Sequence, residues 1–180
     1  MTMQASDTVI FNNQEFKLID IEKDKSLISC ADFSVPKNNF SYISSCWRGY
    51  TATYSIENKK LYVIRHEMNW ENFKETSSEK LFLNFTGSIV IAQGDGFNTD
   101  FLNCYLDFNI AYELHFTNGI IDEINSLNNA IEEMRNIEKT IEYQSEKTEP
   151  YERLMIRENL SRKHLKYTYD EISYKWREKQ

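Results

Sequence analysis

The feature that most constrains this chain of 180 residues is a change of hydrophobic period near residue 126. Before it, apolar residues recur at every second position; after it, they recur at every third or fourth. Period two places one face of an extended strand against a core, whereas a period of 3.6 does the same for one side of a helix. The pattern predicts an α+β chain: an antiparallel, β-rich body over residues 1–125, followed by a C-terminal antiparallel pair of helices over residues 126–180. The body is a sandwich, a barrel or a curved sheet, and the pair packs on it or on a partner.

The clearest strand is centred on residue 53, where Tyr50, Ala52, Tyr54 and Ile56 alternate with Thr51, Thr53 and Ser55. Glu57-Asn58-Lys59 turns the chain, and residues 60–66 return it. Thr8-Val9-Ile10-Phe11 and residues 15–21 flank Asn12-Asn13-Gln14 as a first hairpin. Tyr112, Leu114 and Phe116 alternate up to Asn118-Gly119, the strongest short hairpin signal in the chain, after which Ile120 and Ile121 return. Residues 27–31 suggest a short strand, and residues 32–45 a long loop. Residues 67–79 suggest a loop or short helix. Residues 81–85 and 88–92 suggest a strand pair around Thr86-Gly87. This makes seven or eight strands. Aromatic residues at 14%, with 11 Tyr and 11 Phe, fit a β-rich body.

Ser126 is a candidate N-cap, and Leu127, Ile131, Met134, Ile137 and Ile141 form one apolar stripe behind it. Pro150 opens a second helix as an N1 proline. On a helical wheel Tyr151, Leu154, Leu165, Tyr169, Ile172 and Trp176 share one side of it. Ile156, Leu160, Tyr167 and Tyr174 fall nearly opposite, with the last three at heptad spacing. A helix apolar on two sides is either clasped between two layers of its own chain or shared with another chain. The second option makes Ile156, Leu160, Tyr167 and Tyr174 partner-binding residues, since tyrosine is enriched at interface hot spots.

Charge narrows the partners. Residues 1–125 hold 10 Lys/Arg against 17 Asp/Glu, and residues 126–180 hold 11 against 11, so the net charge of −7 belongs to the body. An acidic body repels phosphate backbones and suits a basic protein. No apolar run approaches 18 residues, which argues against a membrane helix. Residues 1–7 lack a basic and apolar leader, and Cys30, Cys46 and Cys104 are odd in number and widely spaced. The expectation is a cytoplasmic protein with reduced thiols.

No Gly-rich phosphate loop, nucleophile elbow, paired-cysteine site or HExxH is present, so no cofactor, metal or catalytic residue is assigned. His66, His115 and His164 fall in three different elements without ligand spacing. Asp95, between two glycines, reads as a turn residue; with Asp107 and the histidines it is the basis of a rival enzyme reading. Cys46-Trp47-Arg48-Gly49-Tyr50 is the most distinctive string. Its Arg48 can stack between aromatic rings or grip a carboxylate, which adds Trp47 and Arg48 to the partner-binding set. The competing view makes Trp47 and Tyr50 core aromatics and Arg48 a tie to an acidic loop.

That string, extended through Ala52, Tyr54 and Ile56, then Leu61-Tyr62-Val63, then Glu113, Phe116 and Asn118-Gly119, resembles a family of small uncharacterised bacterial proteins over residues 8–125. The resemblance implies a bacterial or phage-related source and a β-rich fold, and lends no catalytic residues. Together these readings favour a non-enzymatic protein-binding module, such as a toxin-neutralising immunity protein or a defence-complex subunit. The partner is another protein, or the chain itself as a homodimer. An enzyme with an acidic or histidine site in the body is the alternative.

Overall fold

The computed structural model describes residues 6–22, 27–30, 50–70, 73–77, 79–94, 104–143 and 150–167. Three tight hairpins organise the sheet. Strands β1 (Thr8–Phe11) and β2 (Gln14–Ile21) are joined through Asn12-Asn13; β3 (Tyr50–Glu57) and β4 (Lys60–Trp70) through Asn58-Lys59; β8 (Ile110–Thr117) and β9 (Ile120–Ser126) through Asn118-Gly119. All six turn residues have positive φ, between 50° and 77°, as two-residue type I′ turns require. Asparagine tolerates this region better than most residues, which is why the turns were visible in the chain.

Between these hairpins lie β5 (Phe73–Ser77), β6 (Leu81–Phe82) and β7 (Gly87–Gln93). The strand order β3-β1-β2-β7-β8-β9-β4 returns to β3, so seven strands close a barrel, with β5 and β6 added against β4. All pairs are antiparallel except β1 with β3. Closure depends on β4. One of its edges pairs with β3; the other takes β9 at Lys60, β6 at Tyr62 and Val63, and β5 from His66 onward. The chain between β6 and β7 seals the joint: Leu83 N–H donates to the Leu61 carbonyl, and Gly119 N–H to that of Phe85.

Three expectations are corrected here. Within the loop or short helix expected over residues 67–79, residues 67–70 and 73–77 are strand instead, because β4 runs to Trp70 and β5 pairs back onto it. Leu27–Cys30 is a 3-10 turn rather than a strand. Residues 81–85 do not pair with 88–92; β6 lies on β4 while β7 lies between β2 and β8. The loop expected over residues 32–45 lies outside the described residues.

Two cores result. Inside the barrel, Val9, Phe11, Phe16, Leu18, Tyr54, Leu61, Val63, Ile89, Ile91, Leu114 and Phe116 interlock, with Leu83 and Phe85. The second core lies outside, under the helices, where Val90, Ala92 and Ala111 meet Leu127, Ala130, Ile131, Met134 and Leu160. β7 is therefore buried on both faces, which explains its unbroken run Ile89-Val90-Ile91-Ala92. Small alanines at 92 and 111 let the helix layer approach closely.

Helix α1 (Asn128–Tyr143) buries the stripe expected of it through Leu127, Ile131 and Met134. The Ser126 hydroxyl accepts the Asn128 amide at 3.5 Å, while the Leu127 carbonyl opens the helical ladder to Ala130 and Ile131, so the cap falls one residue later than read. Helix α2 (Pro150–His164) runs antiparallel to it: Arg157 reaches Glu138 and Lys163 reaches Glu133.

Candidate functional site

The expected long second helix stops at His164, and the reason is a set of polar groups on the outer face of β8 and β9. Glu113 is 1% exposed. Its carboxylate accepts the Lys166 amide at 2.9 Å, the Tyr167 amide at 3.1 Å and the Asn125 side-chain amide at 2.9 Å. The same Asn125 donates to the His164 carbonyl at 3.1 Å. These contacts draw the backbone out of the helical path, since a buried carboxylate is stable only with several donors around it. Tyr167 consequently leaves the helix. It lies flat on His115, ring centroids 4.3 Å apart and planes 3° apart, and its hydroxyl donates to Glu123 at 2.9 Å. Partial burial, and then the bond to Glu123, push the Tyr167 phenol up to about 12. Bonds from Lys166 and Tyr167 hold the Glu123 carboxyl below its ordinary range.

Beneath this stack, His115 Nδ1 lies 2.9 Å from Ser88 Oγ, which lies 3.2 Å from Glu22 Oε2. The trio resembles a nucleophilic serine with its base, but its polarity is the reverse. The Ser88 hydroxyl donates to Glu22, so its proton is directed away from the histidine. A serine awaiting activation gives its proton to the histidine instead. Ser88 is also wholly buried. The trio ties the end of β2 to β7 and β8.

A second polar cluster fixes the middle of α2. Arg157 forms ion pairs with Asp107, a buried residue of the 3-10 turn Tyr105–Asp107, and with Glu138 at 3.1 Å. The Tyr105 hydroxyl donates to the Ser161 carbonyl at 2.8 Å. Asp107 is thus committed to Arg157. Burial pushes the neighbouring Cys104 thiol up to about 11, which suppresses the reactive thiolate.

Of the residues expected to bind a partner, Ile156, Leu160 and Tyr167 lie among the described residues. Leu160 is 5% exposed and belongs to the outer core; Ile156 is half-buried; Tyr167 is past the helix end and covers His115. Leu160 and Tyr167 do not share a helical stripe, because the helix that would align them has ended. Trp47, Arg48 and Tyr174 lie outside the described residues, as does Asp95. His66, His115 and His164 stand on β4, β8 and the last turn of α2.

Sequence reasoning missed a different surface. Leu61 and Val63 point into the barrel, so Lys60 and Tyr62 point out, and their strand partners Ile120 and Phe82 point out with them. Phe82 is 43% and Ile120 45% exposed. The Phe82 ring meets Tyr62 edge-on at 5.8 Å, and Lys80 Nζ stands 4.5 Å above the Tyr62 ring while paired with Glu57 at 2.6 Å. Gly119 makes room for this: a Cβ there would fall 2.6 Å from the Phe82 ring. Further large apolar exposure falls on Ile124 of β9 and Met155 of α2. The run from Leu81 to Phe85 alternates in burial, but only the pairing with β4 says which side faces out.

These observations define a closed seven-stranded barrel with a helical pair clipped to its outside and an aromatic patch on its wall. No family model, curated protein or solved structure matches the chain. Among the described residues no helix is long and apolar enough to cross a membrane, and no group of three His, Cys, Asp or Glu side chains is placed to hold a metal.

Proposed function

We propose that the chain is a non-enzymatic protein-binding module, and that it meets its partner through the outward patch of Tyr62, Phe82 and Ile120. The observation that carries this reading is the pair of large apolar side chains, each more than two-fifths exposed, placed side by side on a rigid β-wall. Aromatic residues preset on strands bind at little entropic cost, and Tyr and Phe are enriched in interface cores. The acidic balance of residues 1–125 favours a basic partner by steering its approach. A cytoplasmic, bacterial binding protein that neutralises a toxin, or that takes a place in a defence assembly, has this chemistry. Ile156, with Met155 beside it, offers a second contact on α2.

The test compares wild type with the double variant Phe82→Asp, Ile120→Asp by crosslinking in the native host, with light scattering on each purified protein. The expected result is one heterologous partner lost from the variant by at least about tenfold, as befits hot-spot residues, with thermal unfolding within a few degrees of wild type. Undiminished capture by a folded variant overturns the proposal. A dimeric mass that the substitutions reduce to a monomer assigns the patch to self-association instead.

A further inference from the structure

α1 and the C-terminal part of α2 are held to the barrel by different physics. α1 is fixed by apolar burial, with Leu127, Ala130, Ile131 and Met134 all at or below 2% exposure. Among residues 155–164 of α2 the one buried apolar side chain is Leu160, at 5% exposure, with Leu165 at the margin of the same cluster. What the C-terminal part of α2 adds is charge. Arg157 pairs with Asp107 and Glu138. Lys163 and His164 both reach Glu133 at 2.9 Å, and Lys166 reaches Glu123. The amides of Lys166 and Tyr167 close on Glu113. Every group that faces a carboxylate in this set lies between residues 157 and 167, and every carboxylate lies on α1, the 3-10 turn, β8 or β9.

We propose that the C-terminal half of α2, with the segment through Tyr167, is a charge-held latch that opens while the barrel and α1 stay folded. Its opening separates these basic side chains and amides from Asp107, Glu113, Glu123, Glu133 and Glu138 and lifts Leu160 from the outer core. The pairs that close the end of the latch, from Lys163 and His164 to Glu133 and from Lys166 to Glu123, are exposed. Such pairs are weak singly and are screened within about 8 Å at physiological salt. The end of the segment therefore opens below the free energy of global unfolding, with the buried Arg157–Asp107 pair as its less salt-sensitive anchor. Apolar burial under α1 responds to salt in the opposite direction or not at all. The latch stands independently of the Phe82 patch.

Hydrogen exchange read by mass spectrometry on the full chain, in about 0.05 M and about 0.5 M sodium chloride, tests it. Peptides covering residues 157–167 are expected to exchange about tenfold faster at the higher salt, while those covering β7 and α1 keep their rates. Glu133→Gln removes the negative charge shared by Lys163 and His164 at a half-exposed position. It is expected to speed exchange of the same peptides at low salt and to shrink their salt response. The proposal is overturned if exchange over 157–167 is indifferent to salt in wild type, or if it rises only in step with β7. Should Glu133→Gln also lower the protection of β7, the wild-type comparison alone decides.

Discussion

Glu113 shows how much one side chain can determine. It occupies a strand position between Tyr112 and Leu114, and alternation alone says only that it faces away from them. In the fold that outward face is covered by the end of α2, and the carboxylate becomes the acceptor for two consecutive amides and for Asn125. Glu113→Ala leaves those donors buried without a partner, at a cost of about 2–4 kcal/mol. Thermal denaturation is expected to show a midpoint lower by roughly 5–15 °C, with Glu113→Gln intermediate. The same residue explains a misplaced expectation. Heptad spacing aligned Leu160, Tyr167 and Tyr174 on one helix face, yet the carboxylate takes the amides that would have continued that helix. No local pattern records this, because donor and acceptor are more than fifty positions apart.

At the scale of elements, legibility follows locality. The three type I′ turns could be read directly, since a positive φ at adjacent residues leaves an Asn or Gly signature within four positions. α1 could be read as well, because its apolar stripe reports one continuous buried face. β5 could not: its residues look polar, and it is a strand only because the edge of β4 is there to receive it. The turns invite a quantitative check. Lys59 has φ 64°, a region costly for a side chain of this kind, so Lys59→Gly is expected to stabilise the protein by about 0.5–1 kcal/mol in urea denaturation. Gly119→Ala is expected to do the reverse by about 2–4 kcal/mol. Its φ is 77°, and a Cβ would come within 2.1 Å of the Leu83 carbonyl oxygen, at the joint that closes the barrel. Equal effects from both substitutions would contradict the turn geometry.

For the molecule as a whole, the joint between helical layer and barrel depends on acidity. Lys163 and then His164 hold the Glu133 carboxyl below its ordinary value of 4.5, and Lys166 and then Tyr167 do the same for Glu123. A depressed carboxyl contributes stability that is fully present above its unfolded value and is lost as pH falls through the folded one. The contacts at the end of α2 are therefore expected to loosen below about pH 4.5, before the interior of the barrel, which has no need of them. The signal from Tyr167 stacked on His115, followed by NMR during acid titration, should change ahead of Leu114 and Phe116 in the core. Simultaneous change would mean that layer and barrel form one cooperative unit. The shared edge of β4 also bears on how the chain is made. A ribosome delivers β4 well before β9, and at about 5–20 residues per second the stretch from Trp70 to Ile120 takes about 3–10 s to emerge. For that interval β4 presents a long edge that could recruit other nascent chains. β5 and β6 are the next segments out, and both fold onto that edge, so the protein carries its own temporary guard and leaves only the place of Lys60 for the strand that arrives last.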